Sequence, residues 1–205
     1  MTPQPARPRT RRSFWDRRAA GFDLDVKPDD EAVAAARRLL GPDAQVLEIG
    51  CAVGATARAL RPRVASWHAI DLSAEMVELA RAEGGDITYQ QTTIDGAPEG
   101  PFDAVVAFNV LHFMDLDTDL QEIRRRLRPG GLLLAQTPCL GDMNPFFRGV
   151  MPVIAVVIRL KGLRRLRFGR LRAAVVAAGF EVMEERAGPP TQTWLVARRP
   201  ADGAA

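Results

Sequence analysis

The chain has 205 residues, of which 47% are hydrophobic and 26% charged, with 28 Lys or Arg against 25 Asp or Glu and a net charge of +3. That balance excludes a disordered or fibrous chain and gives one domain of ordinary size with a sizeable core. Two cysteines, Cys51 and Cys139, are too few for a disulfide scaffold and have no neighbour at metal-ligand spacing, which points to a reduced, cytoplasmic setting with no metal site.

The positive charge is concentrated in two segments. Residues 7–18 hold six Arg and one Asp, and residues 159–172 hold seven Arg or Lys and no acid. Elsewhere acids outnumber bases. Met1 to about Arg12 is rich in Pro and Arg and lacks an apolar period or a signal-peptide core, so 1–12 reads as a disordered tail, as does 200–205. Residues 13–199 then form a single domain. Ser13-Phe14-Trp15-Asp16 opens a short amphipathic segment reaching Phe22, and residues 13–28 read either as a lid or as a cover for the sheet's edge.

Asp29 and Asp30 stand where a helix N-cap belongs, ahead of Ala32, Val33, Ala36, Leu39 and Leu40 at helical spacing, and Gly41-Pro42 stops that helix. Val46 to Ile49 is a short apolar run containing an acid, Glu48. It turns through Gly50-Cys51-Ala52-Val53-Gly54 and resumes at helical spacing over Ala55–Arg61. This is the pattern of a buried parallel strand, a tight turn and a helix, in which small residues let the backbone approach a ligand. Val64 to Ile70 reads as a second strand, ended by Asp71, whose carboxylate suits a pair of ribose hydroxyls. Ser73 caps a helix with Met76, Val77, Leu79 and Ala80 on its apolar face, stopped by Gly84-Gly85.

Strands follow at Ile87–Gln90 and Phe102–Phe108, then a helix over Leu116–Leu127, a turn at Arg128-Pro129-Gly130-Gly131 and a strand from Leu132 to Ala135. A helix at Leu171–Ala178 and two strands, Phe180–Glu185 and Thr193–Ala197, complete the chain and suggest an antiparallel pair at one edge. The alternation predicts a doubly wound α/β sheet.

Four motifs taken together are more informative than any of them alone. They are Glu48-x-Gly50-x-Ala52-x-Gly54, Ile70-Asp71-Leu72-Ser73-x-x-Met76, Phe102-Asp103-Ala104-Val105-Val106 with Asn109-Val110-Leu111-His112-Phe113, and Leu127-Arg128-Pro129-Gly130-Gly131. In this order they resemble the class I methyltransferases, which use S-adenosylmethionine. Ala52 replaces the middle glycine of that family's loop. The resemblance implies a Rossmann-like sheet of seven strands, mostly parallel, with an antiparallel C-terminal pair. It implies a cofactor site at Glu48, Gly50, Cys51, Ala52, Gly54, Asp71, Leu72, Met76, Thr93, Ile94 and Asn109. The family often has an acid near Thr93, with Asp95 a nearby substitute here.

On this reading the chain is a methyltransferase acting on an oxygen or nitrogen of a small, hydrophobic acceptor. His112 is the candidate base, weighed against a purely structural role, and His68 is a sheet residue. Trp15, Phe22, Asn144 and Phe147 are candidate substrate contacts. Residues 139–168 form a substrate-side insertion, and the apolar-basic stretch 150–172 is a candidate peripheral membrane contact, too short to span a bilayer. Nucleic acid is not expected, since Phe168 alone interrupts the basic run. The alternatives are a non-catalytic cofactor-binding or adaptor protein, and a nicotinamide oxidoreductase, for which the alanines at 52 and 55 are unfavourable.

Overall fold

The structure is a computed structural model and describes residues 15–17, 19, 21, 28–139, 142, 166–187 and 192–201. Phe22, Asn144 and Phe147, residues 1–12 and most of 139–168 lie outside the described residues.

Seven strands form one sheet in the order β3-β2-β1-β4-β5-β7-β6. They are β1 (Gln45–Ile49), β2 (Ser66–Asp71), β3 (Thr88–Gln91), β4 (Phe102–Phe108), β5 (Leu127–Pro138), β6 (Glu181–Ala187) and β7 (Gln192–Arg198). The first five are parallel, and β7 lies antiparallel between β5 and β6. Order reverses between β1 and β4, so a crevice opens at the carboxyl ends of those strands, the usual ligand position in doubly wound sheets.

Alternate residues of the central strands serve two separate cores. Leu47, Ile49, Val105, Ala107, Leu133 and Ala135 meet α4 (Leu116–Arg126) and α5 (Phe168–Ala177) on one face. Val46, Val106, Leu134, Trp194 and Val196 meet α1 (Asp30–Leu39), α2 (Ala55–Leu60) and α3 (Ala74–Ala82) on the other. Side chains cap three of these helices. Asp29 accepts from Ala32 N–H, Ser73 from Met76 N–H, and Asp115 from Asp117 N–H. Helix α4 also carries Asp117 and Asp119 in its first turn and Arg124, Arg125 and Arg126 in its last, complementing its dipole.

The expected elements are present, with shifted ends. The clearest correction concerns Arg128–Gly131, expected as a turn. These residues lie within β5, and its pairing with β4 jumps from Phe102↔Leu127 to Ala104↔Leu132. The segment is held by the neighbouring chain: Gly130 N–H donates to Arg199 O, and Arg199 N–H to Gly131 O. A bulge absorbs the Pro-Gly-Gly that a local reading assigns to a turn.

Arg126 is fully buried at the end of α4. Its guanidinium donates to the Glu122 carboxylate at 2.8 Å and to the carbonyls of Asp95 and Ala97 at 2.9 and 3.3 Å. It therefore ties the helix to the turn between β3 and β4. Arg126→Met keeps the volume but strips those carbonyls of a charged donor, and should cost about 2–4 kcal/mol in urea denaturation. A loss below about 1 kcal/mol would remove the clamp role.

Candidate active site at the β1 and β2 strand ends

The loop after β1 is suspended from the end of β2. Gly50 N–H and Cys51 N–H both donate to Ile70 O, at 2.8 and 3.1 Å. Ala52 N–H then donates to Asp71 Oδ2 at 3.0 Å, and Ser73 N–H to Asp71 Oδ1 at 2.9 Å. Asp71 thus faces the 50–54 loop, and each of its oxygens keeps a lone-pair direction for a further donor.

The loop needs an unusual backbone. Gly50, Ala52 and Gly54 have φ of 75°, 46° and 79°. A side chain at Gly50 would come within 2.8 Å of Val110, and one at Gly54 would strike the Tyr89 hydroxyl. Ala52 is therefore the one residue of the three that adopts this conformation against its own Cβ. Arg58 reaches back from α2 to hold Val53 O at 2.7 Å.

Burial sets the charge. Glu48 is buried at 3% exposure and accepts from Trp67 Nε1 at 2.9 Å. Desolvation pushes its carboxyl up to about 8; the Trp67 hydrogen bond opposes the rise, the Asp71 charge adds to it, and Arg58 opposes it again. Asp71 is also raised by burial, against hydrogen bonds from Ser73, Ala52 and Leu72, with the Asp16 charge adding to the rise. Two carboxyls held above their ordinary values in one crevice favour a cationic ligand.

The other sequence candidates occupy distinct places. Met76 is buried with Val53 and Ala19, with Trp15, Ala52 and Leu79 packed against them. Trp15 meets Phe113 edge-on with centroids 5.3 Å apart. Trp15 and Ala19 therefore pack against Val53 of the loop and Met76 of α3. Leu72 is half-buried, and Cys51 is a free, buried thiol. Thr93 caps a 3-10 turn after β3, whereas Ile94 is packed in the core, so its side chain offers a ligand nothing. Asn109, exposed and with φ of 54°, ends β4 and donates from its backbone to Gln136 O at 2.6 Å. His112 is buried, with Nδ1 2.9 Å from Thr137 Oγ1. Desolvation lowers its pKa to about 4, so the ring is neutral at physiological pH. His68 lies within β2, its ring 5.7 Å from that of Phe102.

Sequence reasoning missed Trp67, Tyr89 and Arg58. Trp67 comes to Glu48 only through the β1–β2 register, which pairs it with Val46 on the face that also carries Glu48. Tyr89 and Arg58 act on the loop through contacts that no local pattern announces.

The family described as "Methyltransferase domain" matches residues 47–135, from the middle of β1 through most of β5. That stretch of the chain is similar to a methyltransferase domain. The malonyl-[acyl-carrier protein] O-methyltransferase of Enterobacter lignolyticus is 36% identical over 108 residues, covering 51% of this chain and 43% of that one. This chain spans less than half the length of the curated relatives it matches. Among solved structures, the methyltransferase bound to the Trm112 activator of Haloferax volcanii superposes with a TM-score of 0.73 at 21% identity, covering 91% of this chain and 97% of that one. The geranyl diphosphate C-methyltransferase of Streptomyces coelicolor superposes at 0.71 with 14% identity, over 96% of this chain and 100% of that one. These likenesses establish the shared fold.

S-adenosylmethionine is the cofactor that the sequence resemblance implies, and the residues present suit it. The ligand carries a sulfonium, an ammonium and a carboxylate, a net single positive charge, beside a ribose diol; Asp71 borders a loop of small residues, with the Glu48 carboxyl buried behind it.

Two measurements test this local physics. Ala52→Gly removes the left-handed strain at a smaller entropic cost and should stabilise the fold by up to about 1 kcal/mol. A destabilised variant would show that the alanine methyl has a packing role the strain argument omits. Glu48 is raised in the folded state, so that state holds its proton while the unfolded chain has released it. Stability from this group therefore falls as pH rises from about 4.5 to about 8. Glu48→Gln should flatten that fall, with a higher melting temperature than the parent at pH 9. Parallel melting curves across the range would sink the assignment.

Proposed function

We propose that this protein is an S-adenosylmethionine-dependent methyltransferase that methylates an oxygen or nitrogen of a small, hydrophobic acceptor. The observation that carries the reading is the Asp71 carboxylate. It is anchored by Ala52 and Ser73 N–H on one side and has acceptor capacity left beside the loop. The bound cofactor supplies an activated methyl on a sulfonium, an excellent leaving group.

The chain's own residues then have three tasks. Asp71 holds the ribose diol, with Leu72 and Met76 against the adenine and Thr93 nearby. The 50–54 loop, kept narrow by Val110 and Tyr89, takes the methionine portion. The third task is alignment of the acceptor at the ends of β4 and β5, where positioning can supply most of the rate. Trp15 and Ala19, packed on Val53 and Met76, close the crevice as part of a lid and exclude water.

His112 acts by position. A neutral imidazole with a pKa near 4 is a weak proton acceptor at neutral pH, so it orients the acceptor or the strand end through Thr137. Such a site suits an acceptor whose lone pair is free without prior deprotonation. Relatives named as O-methyltransferases and a neighbour named as a C-methyltransferase share the fold, which by itself does not select the acceptor. Among the described residues, no helix is long and apolar enough to cross a membrane. The candidate membrane contact through 150–172 falls mostly outside them.

Asp71→Asn keeps the shape and the backbone anchors but loses the charge and half the acceptor capacity. Calorimetry with S-adenosylmethionine should show affinity falling by roughly 100-fold or more, with the fold intact by circular dichroism. Unchanged affinity would overturn the site, and transfer of label from methyl-tritiated cofactor to metabolite extracts tests the activity itself.

A further inference from the structure

A second polar group lies across the ends of β4, β5 and β7, away from the carboxyls. Gln136 and Trp194 are directly opposite each other in the β5–β7 ladder and are 6% and 5% exposed. Gln136 Nε2 donates to Asp29 Oδ2 at 3.0 Å, which fixes the amide with its oxygen turned the other way. That oxygen, Gln136 Oε1, is buried without a hydrogen-bond partner, and so is Trp194 Nε1. Beside them Gln192 Nε2 donates to Asn109 Oδ1 at 3.4 Å, leaving Gln192 Oε1 buried and unpartnered as well. The Phe108 and Trp194 rings, with centroids 5.8 Å apart, form an apolar wall next to this group.

Orphaned polar atoms at this depth are rare and costly, and here a donor and an acceptor belong to directly paired residues of one ladder. Asn109, which bonds Gln192 through its side chain and Gln136 through its backbone, is exposed, so the group adjoins the surface at the end of β4. We infer that Gln136 Oε1 and Trp194 Nε1 form a recognition pair for an uncharged amide-type group, an N–H beside a C=O, on the methyl acceptor. This inference rests on the methyltransferase reading and names a substrate class for it.

The chemistry of the pair excludes the charged alternatives. Gln136 Oε1 can only accept, so a carboxylate gives it nothing, and Asp29 repels an anion. Hydrogen bonds from Ala32 N–H, Gln136 and Glu31 N–H outweigh the effect of burial and keep the Asp29 carboxyl below its ordinary value, hence ionised. An ammonium leaves the indole N–H without an acceptor. An amide supplies both atoms side by side, at the spacing two cross-strand neighbours present.

The test is a titration of the full-length, 15N-labelled protein with benzamide, benzoate and toluene, with and without saturating S-adenosylhomocysteine. The chain has three tryptophans, and the indole signal of Trp194 is the one lost in Trp194→Phe. Benzamide should shift that signal downfield and saturably, while benzoate and toluene leave it in place. Gln136→Leu should weaken benzamide roughly tenfold. An indole signal unmoved by benzamide, or moved equally by benzoate, overturns the pair. A crystal soaked in benzamide that shows only ordered water bridging the two groups also overturns it. If Gln136→Leu does not fold, the parent titration still decides. Calorimetry with S-adenosylhomocysteine alone reports on the cofactor site, so failure there counts against the methyltransferase reading and leaves the benzamide result to stand or fall separately.

Discussion

The crevice depends on the way β2 holds the loop that follows β1. Parallel pairing in the register Glu48↔Ala69 and Ile49↔Ile70 brings the end of β2 level with residues 50–52. Three successive amides then find acceptors on it, two at Ile70 O and one at Asp71. These bonds hold a left-handed alanine in place and make the loop's shape a property of two strands. On the proposed reading, Asp71 is therefore structural and ligand-facing at once. A slip of one residue in the β1–β2 register would turn Glu48 from the α1–α3 face and dissolve both functions together.

Burial then divides the crevice electrostatically. Toward β1 and β2, Glu48 and Asp71 are raised by desolvation, and the arrival of positive charge would favour their ionised forms. Toward β4, β5 and β7 the side chains on the strand ends are uncharged, with the Asp29 carboxylate behind Gln136 the one anion of the group. His112 is held uncharged, and Gln136, Trp194 and Gln192 offer only dipoles. The boundary falls at the switch point where strand order reverses, which is where the two halves of a ligand pair meet in this architecture. On the proposed reading, the cation belongs to the first half and an uncharged acceptor to the second.

The sequence made the layering legible and left much of the site obscure, for physical reasons. Phe102–Phe108 could be read with correct ends because a nearly buried parallel strand is an apolar run, here broken only by Asp103, between turn residues. Asp29 and Ser73 act within one helical turn, so their signals are local. Arg128–Gly131 misled because the turn signal is real locally while the pairing that overrides it comes from Arg199, far along the chain. β3 was displaced by one residue because a four-residue strand with only Tyr89 buried carries almost no periodicity. Trp67 on Glu48, Arg126 on Asp95 and Ala97, and Gln136 on Asp29 span 19 to 107 residues of sequence. Partnerships of that kind follow from topology, and single-chain pattern reading has no access to them.

The neutrality of His112 constrains the chemistry more than its presence does. A histidine that stored a proton near pH 7 would need water or a carboxylate beside it, and burial against Thr137 and Phe113 supplies neither. Methyl transfer to an amine or an already ionised oxygen produces a group that sheds its proton, or has none to shed, after the bond has formed. Removing the base from the rate-determining geometry leaves alignment as the main demand on the fold. Alignment is what rigid strand ends provide. Asn109, Gln136 and Trp194 sit on three adjacent strands whose backbone bonds fix them relative to the 50–54 loop through β1 and β4. On the proposed reading, the sheet itself therefore sets the distance between cofactor and acceptor, and substrate choice can change with a few side chains at the ends of β4, β5 and β7 while the cofactor half stays as it is.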